Sequence, residues 1–157
     1  MVLAETYELL FRHMEENWLH ARQAEEKRAM IATVNLLIAS VMNGIVVFTG
    51  LSHKTLPLAL WMIVLGIYGI ATSVKLYERS QFHISRARKL RARLDELCPD
   101  AQVEHLQRIA EDEHKLRHPV VMNVRLNNIW VGLHILIAAS GILYTIIGLI
   151  GSERYLR

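Results

Sequence analysis

The sequence predicts an all-α integral membrane protein, with three transmembrane helices extended by a cytoplasmic helical bundle. Three observations carry this. Apolar residues gather in three runs, Ala29 to Leu51, Leu56 to Val74 and Ile129 to Ile150, with nearly all the charge between them. Each run approaches the ~20 residues that cross ~30 Å of hydrocarbon. Helix breakers are missing over long stretches: no proline or glycine occurs from Leu3 until Gly44, and no proline between Leu58 and Leu97. Finally, six arginines and lysines stand between Arg79 and Arg93 without one acid, directly after the second apolar run. Such a block marks a helix leaving a bilayer on the cytoplasmic side.

The first element, residues 1–28, reads as a cytoplasmic amphipathic helix. Leu3, Tyr7, Leu10, Met14, Trp18 and Ala21 recur at steps of three and four with charges between them. Nothing breaks the chain before the first span, so a single helix of about 48 residues, ~70 Å long, is expected. Residues 29–77 hold the first and second spans, joined by a short loop with His53 and Lys54. Residues 78–127 form a cytoplasmic helical hairpin. Its first arm continues the second span through Leu76, Ser80, His83, Ala87, Leu90, Leu94 and Leu97, spaced like a heptad seam. Pro99 ends that arm and opens a shorter helix, ended by Pro119, whose apolar edge is Val103, Leu106, Ile109, Ala110 and Leu116. Packing of both arms against the N-terminal helix should bury these edges. Residues 128–151 are the third span, and 152–157 a short tail.

Basic residues set the orientation. Arg22, Lys27 and Arg28 precede the first span, the 79–93 block follows the second, and Arg125 precedes the third. The positive-inside rule then puts the N-terminus in the cytoplasm and the C-terminus in the periplasm of a bacterial inner membrane. The N-terminal stretch lacks the pattern of a cleaved signal peptide, so the first span is expected to be retained. The single cysteine, Cys98, leaves no intramolecular disulfide and suits a reducing compartment.

Polar groups inside the spans are the first candidate site. Asn35, Asn43 and His134 lie at membrane depth, where unpaired polar groups are costly and usually face the bundle or a water-filled path. They read either as lining a pore or as interhelical hydrogen bonds. No acid or fixed cation sits mid-span, which argues against proton-coupled transport. Two small-xxx-small pairs, Ser40/Gly44 and Gly69/Ser73, permit close helix approach, either between copies of the chain or within one.

The second candidate is the basic run itself: Arg79, Arg86, Arg88, Lys89, Arg91 and Arg93. It suits anionic headgroups, a partner with an acidic helix, or nucleotide phosphates. Phe82 is its only aromatic platform, so stable nucleic-acid binding is not expected. Arg108 and His114 fit the loose R-x4-6-H pattern of HEPN ribonucleases, yet their spacing does not put both side chains on one helical face. Glu111, His114 and His118 lack the partners of a zinc site. No phosphate loop, nucleophile elbow or paired-cysteine motif occurs. The sequence therefore implies no cofactor, no metal and no enzyme.

A polar helix with HARQAEEKR, two close spans and then YERSQFHISRARKLRARLDEL resembles the SLATT group of small bacterial membrane proteins. The resemblance covers residues 17–97 and includes an H-x-x-x-A-R-x-L-R pattern from His83 to Arg91. It implies two spans followed by a cytoplasmic helix, and a membrane-disrupting effector role beside nucleotide-signalling or other antiphage defence components. The third span and the helix after Pro99 depart from that pattern. The expected function is thus a self-associating inner-membrane protein, pore-forming or bilayer-disrupting, triggered through its cytoplasmic helices by a protein or nucleotide signal. The alternative is a membrane anchor, regulatory or immunity partner for another protein, without conductance.

Overall fold

The computed structural model describes residues 2–119 and 125–153. Among these residues it is all-helical, without a strand. Helix α1 runs unbroken over Val2–Thr49, the 48 residues that contain no proline and a single glycine. Helix α2 spans Leu56–Leu97, α3 Val103–Arg117 and α4 Leu126–Glu153. Three of these, α1, α2 and α4, are long and apolar enough to cross a membrane. Parts of the expected hairpin (120–124) and tail (154–157) lie outside the described residues.

The chain forms two compact units, 1–26 with 76–125 and 27–75 with 126–157. The second is the apolar unit. Its α1 and α2 portions are joined by a tight turn: Gly50 takes the left-handed φ of +78° that ends a helix without a Cβ penalty. Ser52 N–H then donates to Thr55 Oγ1 at 3.0 Å, and Thr55 N–H donates to the Ser52 carbonyl at 3.0 Å. Buried positions on α2 repeat every three or four residues, at Ala59, Met62, Gly66, Gly69 and Ser73, and on α4 they fall at His134, Ile137, Gly141 and, seven on, Gly148. That spacing is a coiled-coil seam, here filled with small side chains. A Cβ on Gly66 would come within 2.6 Å of Ala138, and one on Gly141 within 2.6 Å of the Ala59 carbonyl, so α2 and α4 pack backbone against backbone. The outward faces are apolar: Phe48 is 93% exposed, Val47 77% and Leu136 67%. Water does not tolerate so large an apolar band, whereas lipid tails do.

The first unit carries the charge. Its α1 portion contributes Asn17, Ala21 and Ala24 to the buried seam, and α2 contributes Ser80, Ala87 and Leu94. On α1 the three-four rhythm is broken once, by two successive steps of four at Ala24, Arg28 and Ala32. Such a stutter locally unwinds a left-handed seam. Helix α3 departs from the expected packing. None of its residues is buried, and Val103, Leu106, Ile109 and Leu116 remain exposed, Leu116 to 83%. The reason lies at its start. Gln102 adopts the left-handed φ of +47°, and α3 has no side-chain cap of its own at that position. Asp95 of α2 supplies the cap instead, accepting from Val103 N–H at 3.2 Å and from Glu104 N–H at 2.7 Å. This satisfies donors that a helix start leaves orphaned and places a carboxylate at the positive end of the dipole. The cap, rather than the apolar edge, sets where α3 lies on α2.

Candidate functional site

In the apolar unit two hydrogen bonds fix the stagger of α1 against α4. Arg28 Nη1 donates to Asn127 Oδ1 at 3.3 Å, and Tyr144 O–H donates to Asn43 Oδ1 at 2.8 Å. The partners are 99 and 101 residues apart, so α1 and α4 run parallel with a nearly constant offset. The same offset brings Asn35 level with His134. His134 in turn lies against Gly69 of α2, where a Cβ would run into the imidazole ring. Ser73 follows Gly69 by one turn on the same face. Asn35, Ser73 and His134 are 4%, 2% and 1% exposed, and Asn35 Nδ2, Ser73 Oγ and His134 Nδ1 have no protein hydrogen-bond partner.

The span residues singled out in the sequence therefore separate. Asn43 is bonded within the protomer, its Nδ2 donating to the Ala39 carbonyl at 2.8 Å while Oδ1 holds Tyr144. Asn35 and His134 share a buried level. Gly69/Ser73 packs inside the unit. Ser40/Gly44 faces outward: Ser40 Oγ donates to the Leu36 carbonyl at 2.8 Å, and a Cβ at Gly44 would meet nothing within 4 Å. Tyr144 and Asn127 escaped sequence reading because neither stands out in an interfacial or apolar context. The signal was spacing: Asn127 shares one heptad register with 134, 141 and 148, and Tyr144 follows Ile137 by seven.

In the charged unit the basic run also divides. Arg79, Arg86, Arg88, Lys89 and Arg93 are exposed. Arg86 stacks over Phe82 at 5.4 Å, and Arg93 pairs with Glu96. Arg91 lies over the Trp18 ring at 5.3 Å. Arg88 and Arg91 line a cavity of ≈ 220 Å³ together with Glu104, Gln107, Arg108 and Glu111 of α3. Arg108 thus belongs with the basic run, a pairing that no local pattern announced.

Deeper in this unit, Asn17 Nδ2 donates to the His13 carbonyl at 2.7 Å, which leaves Oδ1 to accept from His83 Nδ1 at 3.1 Å. His83 also faces the His20 ring, with centroids 5.1 Å apart. Burial, followed by the positive influence of His20, Arg79 and Arg86, holds the His83 pKa below the ordinary histidine value. His114 and His118 touch at 4.9 Å between ring centroids. Among the described residues no group of three His, Cys, Asp or Glu side chains is placed to hold a metal ion. No protein-family model, curated protein or solved structure matches this chain.

Proposed function

We propose that this chain is a non-enzymatic inner-membrane protein whose apolar unit spans the bilayer, with the N-terminus and charged unit cytoplasmic and the C-terminus periplasmic. In this reading it is a membrane-disrupting effector of the kind its SLATT resemblance implies. The charged unit receives a protein or small-molecule signal, copies self-associate through the outward Ser40/Gly44 face, and the spans respond.

The observation that carries this is the set of buried polar side chains in the apolar unit, Asn35 and His134 at one level and Ser73 one turn from Gly69. Each has a buried polar atom without a protein partner. Leaving such a group unpaired costs about 1–3 kcal/mol. The packed arrangement therefore leaves polar groups unpaired inside the apolar unit, and water or an ion entering there would pair them. That supports a span bundle that opens rather than one built only to hold.

A second reading, anchor or regulatory partner without conductance, is favoured by the Arg28–Asn127 and Asn43–Tyr144 bonds, which close within one protomer. Inducible expression with a membrane-potential dye separates the two. The effector reading expects loss of potential on induction, suppressed by His134→Leu at unchanged membrane level. Unchanged potential and growth on induction would sink it. A stoichiometric heteromer on copurification would then favour the anchor.

A further inference from the structure

We infer that the groove between α2 and α3 is a binding site for a phosphate group carried by a soluble small molecule. It deepens the reading above, and rests on it only for the consequence of binding. Arg88 and Arg91 are three residues apart on α2 and so share a face. Helix α3 presents Glu104, Gln107, Arg108 and Glu111 across from them.

The polar groups of the groove are not equivalent. Glu104 is engaged by Arg108, and Glu111 accepts from Gln107 Nε2 at 2.8 Å. Both carboxylates already have a donor on their own helix. Neither Arg88 nor Arg91 pairs with a carboxylate among the described residues, and the Arg91 guanidinium lies over the Trp18 ring. A cation–π contact uses the charge and not the N–H donors, which remain for an acceptor. Two arginines with open edges beside a neutral amide are suited to phosphate oxygens, which guanidinium groups bind in a forked geometry. The charge in the groove is three guanidinium groups against two carboxylates, a net positive charge that favours an anion.

Size and position narrow the source. A cavity of ≈ 220 Å³ lies below the ~300–1,000 Å³ of sites that enclose drug-sized ligands. It accepts a phosphate or diphosphate and leaves the rest of a larger molecule outside. Arg88 lies fourteen residues beyond Val74, the last residue of the apolar run, which is ~20 Å along an α-helix. The polar headgroup layer adds only ~5–8 Å to each side of the hydrocarbon. Arg79 falls within that layer's reach along the helix, and Arg88 and Arg91 come after it. The cap that Asp95 places on α3 holds Gln107 and Arg108 opposite Arg88 and Arg91. The site is therefore built from two helices joined by a fixed corner.

The test is titration of pyrophosphate into the purified full chain in nanodiscs of phosphatidylcholine, read by calorimetry. Saturable binding is expected, weakened about tenfold or more by Arg88→Gln or Arg91→Gln and by less than about twofold by Arg79→Gln. Glu111→Gln removes a negative charge from the groove at constant shape, and should tighten binding about threefold to tenfold. A variant that misfolds cannot produce that gain. Absence of saturable binding, or equal loss in Arg79→Gln, overturns the site in favour of unspecific charge. Displacement of pyrophosphate when phosphatidylglycerol replaces phosphatidylcholine overturns the soluble source in favour of a lipid headgroup. The dye experiment reads the spans and this one reads the groove, so each can fail alone.

Discussion

Gly69→Ala tests the central packing of the apolar unit. The new methyl would fall against the His134 ring, with Nδ1, Cγ and Cε1 all inside van der Waals contact. His134 is 1% exposed, so the ring has little room to move aside. Overpacking of this kind costs about 1–3 kcal/mol. Alanine returns up to about 1 kcal/mol of helix propensity over glycine. The net expectation is a loss of up to about 2 kcal/mol, and a stability about 1–3 kcal/mol below that of an alanine at an unobstructed helical glycine. Two glycines supply the control: a Cβ at Gly44 or at Gly132 would meet nothing within 4 Å. Gly44→Ala and Gly132→Ala should be neutral or slightly stabilising. The assay is reversible unfolding by SDS in mixed micelles, followed by helical circular dichroism. The double variant Gly69→Ala with His134→Ala removes the obstacle, so it should be more stable than the two separate losses added together. The reasoning is refuted if Gly69→Ala matches Gly44→Ala, or if the double variant shows no such coupling.

Other substitutions probe single contacts. Tyr144→Phe removes the bond to Asn43 and should cost about 0.6 kcal/mol in the same unfolding assay; no loss would place that pair outside the stabilising set. Asp95→Ala uncaps α3 and should cost about 1 kcal/mol, seen as faster amide exchange at Val103 and Glu104, with Asp95→Asn intermediate. The pH dependence of stability has a defined sign. His83 holds its pKa below the ordinary value in the folded protein, so the unfolded chain binds the extra proton first. The contribution of this residue is complete above about pH 6.5 and is lost as pH falls through that value toward the folded pKa. His83→Gln should flatten that acid-side slope, whereas an unchanged slope would assign it to other groups.

Much of the candidate chemistry was visible as residue types and little of it as partnerships. Asn35, Asn43 and His134 stood out because amides and imidazoles are rare in apolar runs. Their division into a bonded pair and an unpaired level depended on a stagger that appears only when α1 and α4 are side by side. The basic run was equally plain, yet what sets Arg88 and Arg91 apart from Arg79 is the presence of α3 and, for Arg91, the Trp18 ring. Arg108, read beside His114 by its spacing, turned out to face the arginines of another helix.

The amino-acid sequence alone determined the helices, their lengths and the separation of charge from apolar surface, because these follow from breakers, periodicity and composition within one segment. Tertiary structure decided which of two equivalent small-residue pairs packs inside. Gly69/Ser73 is closed by His134, whereas Ser40/Gly44 is left open. It also decided that α3 is held by Asp95 rather than by its apolar edge, which stays exposed. The physical reason is the same in both cases. A repeat of three and four fixes which face of a helix is buried, but the partner and the stagger against it are set by contacts about 65–100 residues away.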